Sequence, residues 1–205
     1  MSAESRVPAS SAVVSTAAPA AWLRSIGIVL LASAFVAVCA HVALPLYFTP
    51  VPLTLQPFAV LLLGLLLSPR LAAFSLLAYL SEGALGLPVF APGPAGALGL
   101  AHLLGPTAGY LLSYPFVAML ISVHYHRSRR GFLAALVSAG LGSLLILFIG
   151  ALWLALLTHG SARVVLAQAV IPFLPGDALK VVAAASLAAA WLRLRNRNSR
   201  SSPTT

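Results

Sequence analysis

Acid is what this sequence has least of. Three Asp and Glu stand against twelve Lys and Arg in 205 residues, and only 7% of the chain is charged. A water-soluble domain is about half apolar with roughly a quarter of its residues charged. This chain is 60% apolar, with a mean hydropathy of +1.02, and has too little polar surface to face water on all sides. It reads as one compact integral membrane bundle. Cysteine is nearly absent: Cys39 stands alone, which excludes an internal disulfide and a cysteine-based metal cluster and suits a small helix-packing residue.

Lysine is as scarce. Lys180 is the only one, and Val181 follows it, so no G-x-x-x-x-G-K-[ST] phosphate loop can form and the chain cannot bind ATP that way. Two of the acids lie in apolar surroundings, too few for the carboxylate relay of a proton-driven transporter. There is no HExxH and no GxSxG, and no inverted repeat is evident. The expectations are no enzyme, no metal and no cofactor. A transporter built on this chain draws its energy from a partner protein. A net charge of +9 can signal nucleic acid. Here the arginines cluster at the chain ends and between apolar runs, as cytoplasmic anchors do, so membrane lipid is the expected partner and nucleic acid is not.

What is present is apolar runs. A membrane helix needs about 20 mostly apolar residues. Six candidates lie near 25–43, 56–69, 71–90, 106–123, 132–157 and 175–192. The fifth carries Gly140, Gly142 and Gly150, which leave room to bend. Residues 1–24 are Ser/Ala-rich and read as a disordered tail. The run after Arg24 reads as a retained first helix rather than a cleaved signal, because the tail is long and polar and "AVCAHVA" is a poor cleavage site. Residues 193–205 read as a basic tail.

The links alternate. Arg6 and Arg24 precede the first helix, Arg70 sits between the second and third, Arg127, Arg129 and Arg130 between the fourth and fifth, and Arg193, Arg195, Arg197 and Arg200 after the last. Only Arg163 lies elsewhere. Basic residues concentrate on the cytoplasmic side, so both termini are expected inside, in a plasma membrane crossed several times. The outer links are apolar and rich in Pro and Gly: "LPLYFTPVP" and "GLPVFAPGPAGALGLAHLLGP". Non-helical backbone at membrane depth must be buried in protein or line a cavity, so these links are expected to fold back as a lid.

The ionisable groups at membrane depth are Glu82, Asp177, Lys180 and a few His. Charges there are costly and mark function by default. Pro175 suits the first turn of the last helix, and Asp177 within that turn is favoured by the helix dipole. Lys180, three residues on, faces the same side. Helix N-terminus and lysine together attract an anion, and Asp177 can accept hydrogen bonds from ligand N–H groups. The ligand expected is mostly apolar with polar ends. Gln56, Tyr79, Tyr110 and Tyr114 are candidates for further hydrogen bonds and aromatic walls. Tyr114 and Tyr125 read better as interface anchors, and His41, His102 and His159, near expected helix ends, as interfacial. Ser33 and Ala37 form a small-xxx-small pair that lets helices approach closely. Asp177 and Lys180 also admit a plainer reading, a mutual ion pair in a structural scaffold.

The block "PLYFTPVPLTLQPFAVLLLGLLLSPRLAAFSLLAYLSEGALGLPVF", with "GPTAGYLLSY" and the late "PGDALK", resembles the BioY family, the biotin-specific substrate-binding (S) components of energy-coupling-factor (ECF) transporters. The likeness covers about residues 25–192. It implies an all-α bundle of six transmembrane helices with cytoplasmic termini, and biotin capture at the outer side beneath the first outer link. It implies as partners a coupling transmembrane protein and ABC-type ATPases. Carried over, Asp177 and Lys180 match the family's Asp-x-x-Lys signature, Gln56 ends the "TPVPLTLQ" loop, Glu82 falls where a polar residue can reach a ureido ring, and Tyr110 matches a Tyr of the GPT segment, with Ala108 where the family usually has Gly. Ser33 and Ala37 stand where such proteins meet the coupling subunit. An S component for another vitamin, or a membrane-embedded enzyme, are the alternatives.

Overall fold

A computed structural model describes residues 17–92 and 99–200, with side chains over 21–92 and 99–198. Helix α1 spans Ala17–His41. A two-stranded antiparallel hairpin follows, with β1 at Ala43–Leu44 and β2 at Leu53–Thr54, pairing Ala43 with Thr54 and Leu44 with Leu53. Then come α2 at Gln56–Leu66, α3 at Pro69–Ala84, a 3-10 turn at Gly99–Leu104, α4 at Ala108–Arg127, α5 at Phe132–Thr158, α6 at Ala162–Ala169 and α7 at Leu174–Arg200.

Short α2 is the hub. It packs against α1, α4, α5 and α7, and α5 closes the bundle against α4 and α7. Its neighbours come close because Gly64 has no side chain: a Cβ there would lie 2.9 Å from Ile121 and 3.0 Å from the Ala118 carbonyl. Glycines zip α4 to α5 in the same way. The Tyr110 ring lies on Gly150, Trp153 on Gly109 and Ile121 on Gly142, so that a Cβ at any of these glycines would collide with its partner. Gly142 and Gly150 therefore serve packing, and α5 runs unbroken through both.

Several expected boundaries move. Residues 17–24 are helical, so α1 begins inside the expected tail; residues 1–16 lie outside the described set. Helix α7 runs to Arg200, through most of the expected basic tail, because nothing in 193–200 breaks it; residues 201–205 are not described. The link expected at 158–174 contains α6, which meets α7 at a 47° bend. Among the described residues three helices are long and apolar enough to cross a membrane, and the bent α6–α7 pair makes a fourth when taken as one span. Six such spans were expected. The two that fall short are α2 and α3, of 11 and 16 residues, roughly 16 and 24 Å at helical rise against a hydrocarbon core of about 30 Å. Pro69 separates them, since the residue before a proline is driven out of helical backbone, and Ser68 is extended at φ −66°, ψ 156°.

The outside of the bundle is oily. On α5, Leu133, Val137, Leu141, Leu144, Phe148, Leu152 and Leu156 are all exposed, one residue per helical turn on a single face. A stripe of that length marks a surface made for lipid.

Candidate ligand-binding site

The first turns of three helices converge on one cavity. Gln56 opens α2, Thr107 immediately precedes α4, and Asp177 lies in the first turn of α7. All three line the cavity, with Tyr110, Tyr114, His102 and Lys180, and with Val51, Ile146, Leu147 and Phe173 as apolar wall. Helix N-termini carry partial positive charge, so three of them and one ammonium bias the cavity toward an anion.

Asp177 and Lys180 are both buried. Lys180 Nζ donates to Asp177 Oδ1 at 2.9 Å, an ion pair within one turn of α7. Ser143 Oγ lies 3.4 Å from the other carboxylate oxygen. Across the cavity, Gln56 is held in a relay. Thr54 Oγ1 donates to Gln56 Oε1 at 3.2 Å, Gln56 Nε2 donates to the Tyr79 hydroxyl at 2.6 Å, and Tyr79 donates to the Val89 carbonyl at 3.1 Å. Tyr79 is fully buried and supports Gln56 from behind. Tyr110 lines the wall and donates to the Ala169 carbonyl at 2.7 Å, tying α4 to the end of α6.

The first outer link covers this space, as its apolar composition suggests. Val51, Pro52 and Thr54 form part of the lining, Leu53 rests on Gly176, and Thr49 Oγ1 donates to the Gln168 carbonyl at 2.8 Å. The hairpin is thus latched to α6. In the second outer link, Phe90 stacks on His102 with centroids 5.0 Å apart, and Ala91 lines the cavity. Residues 93–98 of that link are outside the described set. The free volume beneath is about 40 Å³, room for a few waters and far below the roughly 300–1,000 Å³ of small-molecule pockets.

Of the candidate residues, Asp177, Lys180, Gln56 and Tyr110 come together. Glu82 does not join them. It lies half-buried between α1 and α3 and accepts a short hydrogen bond from Ser33. Ser33 is fully buried by that contact and Ala37 is half-buried beside the core, so Ser33 faces into this chain rather than toward a neighbouring subunit. Tyr114 is not an interface anchor but a buried cavity wall, Tyr125 is buried too, and His102 is buried in the wall rather than at a membrane surface. Tyr114 stands four residues after Tyr110, on the same helix face, and that spacing is the signal that finds it. Nothing local marks His102. Among the described residues no three His, Cys, Asp or Glu side chains gather for a metal.

Residues 9–197 match the BioY family. The chain is 41% identical over 139 residues to a probable biotin transporter BioY of Pyrococcus horikoshii, covering 68% of this chain and 79% of the relative. It is 35% identical over 160 residues to biotin transporter BioY2 of Lactococcus lactis, covering 78% and 85%. Biotin transporter BioY of Thermotoga maritima is 34% identical over 163 residues, covering 80% and 90%. A crystal structure of the S-component for biotin from an ECF-type ABC transporter superposes with a TM-score of 0.75 at 27% identity, covering 86% of this chain and 93% of that one.

Proposed function

The chain belongs to the BioY family, and from that membership we propose that it is the membrane-embedded, substrate-binding component of a biotin uptake system, a transport protein rather than an enzyme. It captures biotin on the extracytoplasmic side of the plasma membrane. A coupling transmembrane protein and ABC-type ATPases then drive import, since the chain has no phosphate loop of its own. In this reading both termini are cytoplasmic, residues 25–192 form the membrane domain, and α2 and α3 complete a six-span bundle as short crossings.

The observation that carries the proposal is the buried Asp177–Lys180 pair in the cavity wall. Biotin has a carboxylate at one end, an apolar tail and ring, and a ureido group with two N–H donors at the other. Lys180 with the three helix N-termini suits the carboxylate, and Asp177 suits the ureido. Gln56 and Tyr110 add polar contacts. Glu82, held by Ser33 away from the cavity, has no part in this assignment.

Labelled biotin should bind the detergent-solubilised chain expressed alone, and an excess of unlabelled thiamine or riboflavin should not displace it. Lys180→Ala and Asp177→Asn should each weaken binding strongly. Wild-type binding by both variants would remove the pair from the site, and displacement by another vitamin would change the substrate.

The 2.9 Å contact between the two side chains also favours a second reading, in which the pair is only a structural clamp. Swapping them, as Asp177→Lys with Lys180→Asp, separates the two. A clamp survives the swap with binding intact, whereas a site that reads the two ends of a ligand does not.

A further inference from the structure

Helices α4 and α5 leave two grooves between them on the outer surface of the bundle. The one beside the cavity end is lined by Gly109, Leu112, Phe116, Ile149, Leu152 and Trp153 among others, and carries no charge. The one at the opposite end begins at Val117 and Gly142, runs past Leu120, Leu141 and Leu145, and finishes among His124, Arg127, Ser128 and Ser138. Its free volume is about 370 Å³. Val117 to Arg127 is ten residues, roughly 15 Å at helical rise, which is half of a hydrocarbon core of about 30 Å. The groove therefore has the length of one leaflet, apolar at the midplane and basic at the surface.

Among the described residues no acid lies beside the basic end. The acids among the described residues are Glu82 and Asp177, taken up by Ser33 and Lys180, and neither lies near Arg127. His124 is held in place by Ser138. Ser138 spends its hydroxyl proton on the Ala134 carbonyl at 2.7 Å, so it can only accept from His124 Nδ1, also at 2.7 Å. That fixes the ring at the polar end of the groove, where Arg127 also lies. Water cannot fill an apolar groove at hydrocarbon depth.

From this we infer that the groove between α4 and α5 is a binding site for one anionic phospholipid of the leaflet on the Arg-rich side. An acyl chain lies along Leu120, Leu141 and Leu145, and the phosphate lies against Arg127. The inference needs the chain to be in a membrane but not that it binds biotin, and biotin binding measured on the same preparations keeps the two separable.

The test is native mass spectrometry of the full chain from micelles holding equal amounts of dioleoylphosphatidylglycerol and dioleoylphosphatidylcholine. The wild type should retain the glycerol lipid preferentially. Arg127→Gln should cut that preference about fivefold, the value of one basic contact at a membrane surface, with biotin binding unchanged. Arg129→Gln with Arg130→Gln should leave it nearly intact. Leu141→Trp, which fills the groove without touching a charge, should lose both lipids. Equal effects of the Arg127 and Arg129/Arg130 variants would reduce the site to diffuse surface charge and overturn the inference. So would lipid retention by Leu141→Trp, or displacement of the lipid by glycerol 3-phosphate alone.

Discussion

Neutralising Asp177 leaves a buried ammonium with nothing to balance it, and removing one partner of a buried ion pair typically costs about 3–5 kcal/mol. Asp177→Asn and Lys180→Met should each lower the thermal midpoint of the solubilised protein. The double variant should regain most of that loss, because paired apolar or neutral replacements are well tolerated, yet it should not regain biotin binding. A double variant that binds would show that the charges serve the fold alone. Tyr125 makes the opposite case. Its hydroxyl is the one buried side-chain oxygen or nitrogen without a partner among the described residues. An unpaired buried polar group costs about 1–3 kcal/mol, so Tyr125→Phe should leave stability unchanged or raise it by about 1 kcal/mol in a melting experiment. At this scale the sequence announces Asp177 and Lys180, because charges are rare in apolar segments. It hides His102, because an aromatic near a helix end looks the same whether it meets headgroups or a cavity, and it leaves Tyr114 open between a cavity wall and an interface anchor. Glu82 was legible as unusual but not as distant, since only the packing of α1 on α3 decides that its partner is Ser33.

Helices show where glycine matters more than hydropathy. The long apolar runs of α1, α4 and α5 were readable from composition. The role of Gly150 was not, because its reason is the ring of Tyr110 on another helix. Gly150→Val should push α4 from α5, cost about 1–3 kcal/mol as an overpacked contact does, and displace Tyr110 from the Ala169 carbonyl. Biotin affinity should fall with stability, whereas Gly140→Val, where a Cβ meets nothing within 4 Å, should change neither. Parallel melting and binding curves for the two variants check this. Helix α6 escaped the sequence reading because eight residues with Arg163 and Gln168 make no membrane signal. It forms where the chain must turn back, and its buried Val165 and Ala169 hold it to the bundle.

The whole molecule has two unlike ends. The cavity lies where α2, α4 and α7 begin, and Arg70, Arg127 and the Arg193–Arg197 run lie at the other, near the start of α3 and the ends of α4 and α7. That polarity was legible in the spacing of arginine, because a loop's side is written in its charge. In a Cys39→Ala background, a cysteine at Tyr47, which is fully exposed, should react with an impermeant maleimide added outside intact cells. One at Arg197 should react only after the membrane is opened. Labelling of both from outside would mean an odd number of crossings and would overturn the six-span topology.

The small free volume beneath the latched hairpin bears on time rather than strength. A site that must part its own walls before admitting a molecule fills no faster than it opens. The observed association rate should therefore level off as biotin is raised, at a ceiling set by release of Thr49 from Gln168. Thr49→Val removes that hydrogen bond from both entry and exit. It should raise the ceiling and the dissociation rate together and leave their ratio nearly constant, so that the hairpin sets how long each vitamin stays and the cavity sets how tightly.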